Sequence, residues 1–153
     1  MTLDQVANIA ELIGLLLVVL TLGFLAIQIH QNTKALRATT IQATLQSEID
    51  VGSILLENAS VWEKVVTAAP LTSGEETRKA IGLFNVFMID TENRYHQYHS
   101  GYLASQTWEG RLGTLPRMVG LPVFNQWRNS VGGLSHSADF LAVLDTLADD
   151  GPD

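Results

Sequence analysis

Eighteen consecutive residues, Leu12 to Ile29 (LIGLLLVVLTLGFLAIQI), carry no charged side chain, and between Glu11 and Lys34 the one ionisable group is His30. At ~1.5 Å rise per residue an α-helix of this length covers about 27 Å, close to the ~30 Å hydrocarbon thickness of a bilayer. Its seven Leu, three Ile, two Val and Phe24 each favour insertion by about 0.3–0.6 kcal/mol, outweighing Thr21, two Gly and Gln28 at the edge. A transmembrane helix is therefore expected within residues 1–30. A cleavable signal peptide fits less well, because Asp4 and Glu11 stand where a basic leader belongs and Gln28-Ile29-His30-Gln31 offers no small-residue cleavage point. A buried core helix would show a polar face, and here Gly14 and Thr21 are all there is of one.

Charge gives the expected orientation and limits the partners. Lys34 and Arg37 follow the span and no Lys or Arg precedes it, so the positive-inside rule puts the C-terminal bulk in the cytoplasm. The absence of Cys agrees with a reducing compartment. All nine Lys and Arg and fourteen of the sixteen Asp and Glu lie beyond the span, for nine minus fourteen, or −5. The whole chain stands at −7. With no basic run, duplex nucleic acid is excluded as a natural partner, and the lipid bilayer is the first expected one.

The remainder reads as helix, so the expected class is all-α: a transmembrane helix continuing through a juxtamembrane extension (31–66) into a small cytoplasmic helical domain (67–150). No Pro precedes Pro70, and Leu36, Ile41, Leu45, Ile49, Ile54, Leu55, Val61 and Val65 recur at helical intervals, with loosening expected near Gly52-Ser53. Ala69 to Gly74 reads as a turn, and Ser73-Gly74-Glu75-Glu76 as a helix start with acids in the first turn. That helix should run from about Glu75 to Ser100, bury Ile81, Phe84, Met88, Tyr95 and Tyr102, and stop at Gly101. Shorter helices are expected over Ser105–Val119, Pro122–Asn129 and Ser137–Asp149, the last capped by Ser137 and followed by a frayed tail at 151–153. Below ~150 residues such a domain has a modest core, which association would reinforce.

Three patterns bear on function. Ala7, Gly14, Thr21 and Gln28 recur at sevens, continued by Ala35 and Gln42, and form a stripe of small and polar residues. In lipid such a stripe lets helices approach closely, so it predicts an oligomer interface or, in a ring, a pore-facing surface. Glu92, His96 and His99 share one helix face, the residue types of a two-His-one-carboxylate metal set, with His136 the one distant residue able to join them. The competing reading is a solvated face, and no metal or other cofactor is expected. Arg94 and His99 also match the R-x4-H spacing of HEPN-type ribonucleases, in which paired Arg and His position a 2′-hydroxyl and stabilise charge on the phosphate. No Gly-rich phosphate loop, nucleophile elbow or H-E-x-x-H accompanies them.

The junction at 25–38 (LAIQIHQNTKALRA) resembles that of an uncharacterised bacterial family of short single-span membrane proteins, whose spans end in A-x-Q-I-x-Q-N-T-x-A-L-R-A. Glu92-Asn93-x-Tyr95-x-Gln97-Tyr98-x-x-Gly101, Trp108-Glu109-Gly110 and Ser137-x-x-Phe140 resemble its cytoplasmic helical part. The resemblance implies a single-pass, all-α, bacterial inner-membrane protein and carries no activity. The architecture is also similar to that of small pore-forming membrane proteins that accompany an RNA-targeting CRISPR effector. The expected function is that of a self-assembling membrane protein with a structural or interaction role. An accessory subunit of a larger membrane complex and a membrane-tethered HEPN-like ribonuclease are the alternatives.

Overall fold

Residues 2–149 are described by a computed structural model, in which every regular element is helical; among the described residues there is no strand. Two compact units divide the chain, Met1–Thr39 and Thr40–Asp153, and one helix, α1 (Leu3–Glu57), contributes to both. The described part of the first unit is a stretch of α1 whose side chains are all exposed. It has no core of its own.

In the second unit α1 continues unbroken through Gly52 and Ser53, where loosening was expected, and Ser53 donates its hydroxyl to the Ile49 carbonyl at 2.9 Å. The interruption falls at Asn58 instead. Its side-chain amide takes the Ile54 carbonyl at 2.8 Å, and its backbone N–H turns to Leu55 at 3.2 Å. The Asn58 N–H thus goes to the i−3 rather than the i−4 carbonyl and interrupts the α-helical ladder, which runs on past Ser53 although that side chain makes the same i−4 bond. After α2 (Ala59–Val66), Ala68 adopts a left-handed φ of 54° and turns the chain toward α3 (Gly74–His99).

α3 is the central element. Ser73 caps it, its hydroxyl accepting from the Glu76 N–H at 3.1 Å, and Gly101 closes it with φ +74°. Glu76 accepts from Lys64 on α2 and from the N–H and hydroxyl of Thr72, which together hold its carboxyl at about 2. The α2–α3 corner is thereby tied at both ends of the turn. Phe84 and Met88 on α3 are fully buried and Tyr95 is buried, whereas Ile81 is half-buried and Tyr102, past the glycine stop, is 46% exposed. Tyr102 therefore does not extend the stripe, because the left-handed residue before it redirects the chain.

The stretch expected as one helix over Ser105–Val119 is two, α4 (Ser105–Leu112) and α5 (Leu115–Val119). Pro116 has no N–H for the Leu112 carbonyl and its ring crowds that turn, so the ladder is cut at Gly113-Thr114. The opposite holds for α6 (Pro122–Trp127): instead of ending near Asn129 it continues as a π-helical turn, Arg128–Gly132, and then α7 (Gly133–Ser135). A Cβ on Gly132 would lie 2.6 Å from the Trp127 ring, so the wide turn seats bare backbone against the indole. Finally, α8 (Ala138–Asp149) follows Ser137, whose carbonyl accepts from Leu141 at 3.0 Å while its hydroxyl stands 3.4 Å from His96 Nε2 rather than capping an amide. The tail at 151–153 lies outside the described residues.

The core gathers on α3. Trp127, Phe84, Phe140, Met88, Leu115 and Leu144 are fully buried, with Phe84 meeting Trp127 edge-on at 5.6 Å. Aromatic edges of this kind contribute about 0.5–1.5 kcal/mol beyond the area they bury.

Candidate functional site

Two polar clusters radiate from α3 inside the second unit. The first lies between α3, α4 and the C-terminal part of α1. Asp90, almost wholly buried, accepts from Ser47 at 2.8 Å through Oδ1 and from Arg94 Nε at 2.9 Å through Oδ2, where Arg111 also donates. Arg94 follows Asp90 by four residues, which places the pair on one helix face. Arg111 comes from α4, and its guanidinium lies 4.7 Å from the centroid of the Phe87 ring. Burial, and then the Arg94 charge, lower Arg111 from the ordinary arginine value, against the pull of Asp90. One carboxylate thus holds two guanidiniums.

Arg94 Nη2 is the exception to this saturation. It is buried and has no hydrogen-bond partner among the described residues. A second acid, Glu48, holds Oε2 at 3.4 Å outside hydrogen-bonding geometry, on a side chain that is 59% exposed. Beside these groups opens a cavity of about 260 Å³ lined by Glu48, Arg94, Thr107, Gly110, Arg111 and Thr114.

The second cluster joins α3 to the α7–α8 corner. Glu92 Oε2 lies 2.6 Å from His136 Nδ1, and Oε1 accepts from the Ser137 N–H at 2.7 Å. His136 Nε2 is 3.1 Å from Asn85 Oδ1, which also accepts from Trp127 Nε1 at 2.9 Å. The indole N–H only donates, so Asn85 presents oxygen to it, and acceptors then face both imidazole nitrogens. The His136 side chain has no exposed surface. Burial pushes the Glu92 carboxyl up, but hydrogen bonds from Ser137 and His136 outweigh it and leave the group below the ordinary glutamate value. This pair is a clasp between α3 and the α7–α8 corner.

The residues singled out by spacing are therefore dispersed. Glu92 turns to His136 and Ser137; His96 is largely exposed, with Nε2 3.5 Å from Glu92 Oε1; and His99 places Nδ1 2.9 Å from the Tyr95 carbonyl and packs its ring 4.1 Å from that of Tyr95. Among the described residues no three His, Asp or Glu side chains form a set able to hold a metal ion. Arg94 and His99, the HEPN-spaced pair, have different partners: Arg94 is held by Asp90 beneath α1, and His99 is bonded to its own helix backbone. Ala7, Gly14, Thr21 and Gln28 are all exposed, nothing lies within 4 Å of a Cβ placed on Gly14, and Thr21 donates its hydroxyl to the Leu17 carbonyl at 2.8 Å.

Spacing did not single out Asp90, Ser47, Arg111 or Asn85. The Asp90–Arg94 pair was readable as an acid four residues ahead of a base on a helix, but Ser47, Arg111 and Asn85 find their partners across 43, 21 and 42 residues of chain. Comparison with known proteins finds no family model, no curated protein and no solved structure that matches the chain.

Proposed function

We propose that this chain is a single-span inner-membrane protein, anchored by Leu12–Ile29, that presents its helical second unit in the cytoplasm and acts by association rather than by catalysis. One observation carries the reading: every side chain from Leu12 to Ile29 is exposed, and none of this candidate span is buried within the chain. Soluble monomers rarely leave more than a few hundred Å² of contiguous apolar surface uncovered, and a helix of this length exceeds that on every side. Lipid covers all faces at once, which a single partner helix does not. Lys34 and Arg37 at the end of the span support the cytoplasmic orientation. Self-assembly through the Ala7-Gly14-Thr21-Gln28 side is the form of association that small residues favour in lipid, where close backbone approach drives helix pairing.

The test is made on the full chain in a bacterial host. The protein is expected to stay with membranes through an alkaline carbonate wash, to leave them only in detergent, and to give a bright C-terminal fluorescent-protein fusion with an inactive alkaline phosphatase fusion. Release by carbonate would overturn the anchor. An active phosphatase fusion with a dark fluorescent one would reverse the orientation. In mild detergent, a particle mass at a multiple of 16.7 kDa supports self-assembly, and a monomer removes it.

A further inference from the structure

We infer that the cavity between α1, α3 and α4 in the second unit is a binding site for a small oxyanion, a phosphate or carboxylate group, received by Arg94 and Arg111 with Glu48 as the built-in competitor. The charge count leads there. Arg94 and Arg111 bring two positive charges and Asp90, the buried acid between them, one negative charge, so the buried part of the cluster has an excess of one positive charge. Asp90 already accepts from Ser47, Arg94 and Arg111. What it leaves over is Arg94 Nη2, a buried donor without a hydrogen bond among the described residues.

Leaving a buried charged donor unmet is costly, so the site is built to receive an acceptor. Glu48 supplies charge but not the bond. Its carboxylate stays 3.4 Å away on a side chain that is 59% exposed, where water screens the attraction and a better acceptor displaces it easily. Arginine suits the incoming group because its planar fork meets two oxygens of a phosphate or carboxylate at once.

The cavity also limits the size of the ligand. At about 260 Å³ it falls under the ~300 Å³ at which pockets for drug-sized ligands begin. Inorganic phosphate or a short carboxylate fits this description. Gly110 lines the cavity, and a Cβ there would meet nothing within 4 Å, so a side chain can be added at this position without a clash. Thr107 on the same helix also lines the cavity.

The inference is independent of membrane anchoring and is tested on the full chain in detergent. Potassium phosphate and potassium acetate are each titrated against potassium chloride at matched ionic strength, with binding followed by calorimetry. Saturable binding of either oxyanion is expected, and the arm with the higher affinity identifies the group. Gly110→Glu should abolish binding by placing a carboxylate in the mouth with no core contact disturbed; Thr107→Glu does the same should the first variant lose its helical spectrum. Glu48→Gln should bind up to about fivefold tighter, the range of an exposed ion pair removed. No saturable binding in either arm overturns the site, as does equal binding by wild type and the Glu variants. Weaker binding by Glu48→Gln overturns the competitor role.

Discussion

Helix α1 makes two different surfaces from one continuous backbone. From Leu12 to Ile29 its side chains are apolar except Thr21 and Gln28, and all are exposed. From Thr40 onward the side that meets α3 is polar: Thr44 is the buried residue and donates to Gln97 at 2.8 Å, Ser47 donates to Asp90, and Glu48 stands against Arg94, while Ile41, Leu45 and Ile49 remain exposed. In this helix apolarity does not mark what the chain covers. A directional seam needs partners at fixed positions, and α3 supplies them; an apolar surface needs only removal from water, which lipid or another chain provides equally well. The lesson is that the specific contacts of α1 lie in its less hydrophobic part.

The largest effect should come from removing the acid at that seam. Asp90→Ala leaves Arg94 and Arg111 buried without a carboxylate, and breaking a buried ionic cluster in this way costs about 3–5 kcal/mol. Leu16→Ala, in the uncovered stretch, should leave the unfolding midpoint of the second unit unchanged, since that side chain is 59% exposed and touches no core. Denaturant unfolding of both variants in detergent, followed by tryptophan fluorescence, makes the comparison: all three tryptophans, Trp62, Trp108 and Trp127, lie in the second unit. Equal losses would mean that the apolar stretch and the seam stabilise the same structure.

What could be read from sequence follows the same division. Features that act over one or two helical turns were legible: the apolar run, the Ser73 cap, the Gly101 stop and the Asp90–Arg94 spacing. Features that depend on what a distant segment brings were not. The dispersal of Glu92, His96 and His99 turns on His136 and Ser137, which only the folded chain brings to Glu92; the break at Asn58 and the cut ahead of Pro116 are local and lay within reach of the sequence. For the candidate sites, residue types were legible but partners were not. Glu92 stood out as a candidate metal ligand and Arg94 as a candidate catalytic residue, and their hydrogen bonds go to other residues, Glu92 to His136 and Ser137 and Arg94 to Asp90.

An intermediate effect tests whether the second unit is held by fixed shape as well as by polar partners. A methyl on Gly132 would lie 2.6 Å from Trp127, a ring with no exposed surface and with Phe84 and Phe124 packed 5.6 and 5.8 Å away. The ring has little room to give, and overpacking of this kind costs about 1–3 kcal/mol. Gly132→Ala should therefore lower the midpoint by an amount between those of Leu16→Ala and Asp90→Ala. In the first unit the equivalent change, Gly14→Ala, meets nothing within 4 Å and should be silent in the same assay. A silent Gly132→Ala would show that the π-helical turn yields, and that shape is as loosely specified here as in the apolar stretch.

The smallest effect is a slope rather than a loss, and it separates the second polar cluster from the first. Glu92 is held below the ordinary glutamate value because, against the upward push of burial, Ser137 and His136 hydrogen-bond to its ionised form. The unfolded chain, lacking those donors, takes up the proton at higher pH. Wherever the unfolded state binds more protons stability rises with pH, so the contribution of Glu92 is fully present above the ordinary carboxylate value and is lost as pH falls through its lowered folded value. Glu76 and Asp145, also lowered, add slopes of the same sign, so the measurement is a difference between two proteins. Thermal unfolding of wild type and Glu92→Gln from neutral to acid pH should give curves that lie apart near neutrality and converge on acidification, because only the wild type loses the clasp. Parallel curves would mean that the Glu92–His136 contact contributes no ionic stabilisation and that the α7–α8 corner is held on α3 by its apolar contacts, Phe140 and Leu144 foremost.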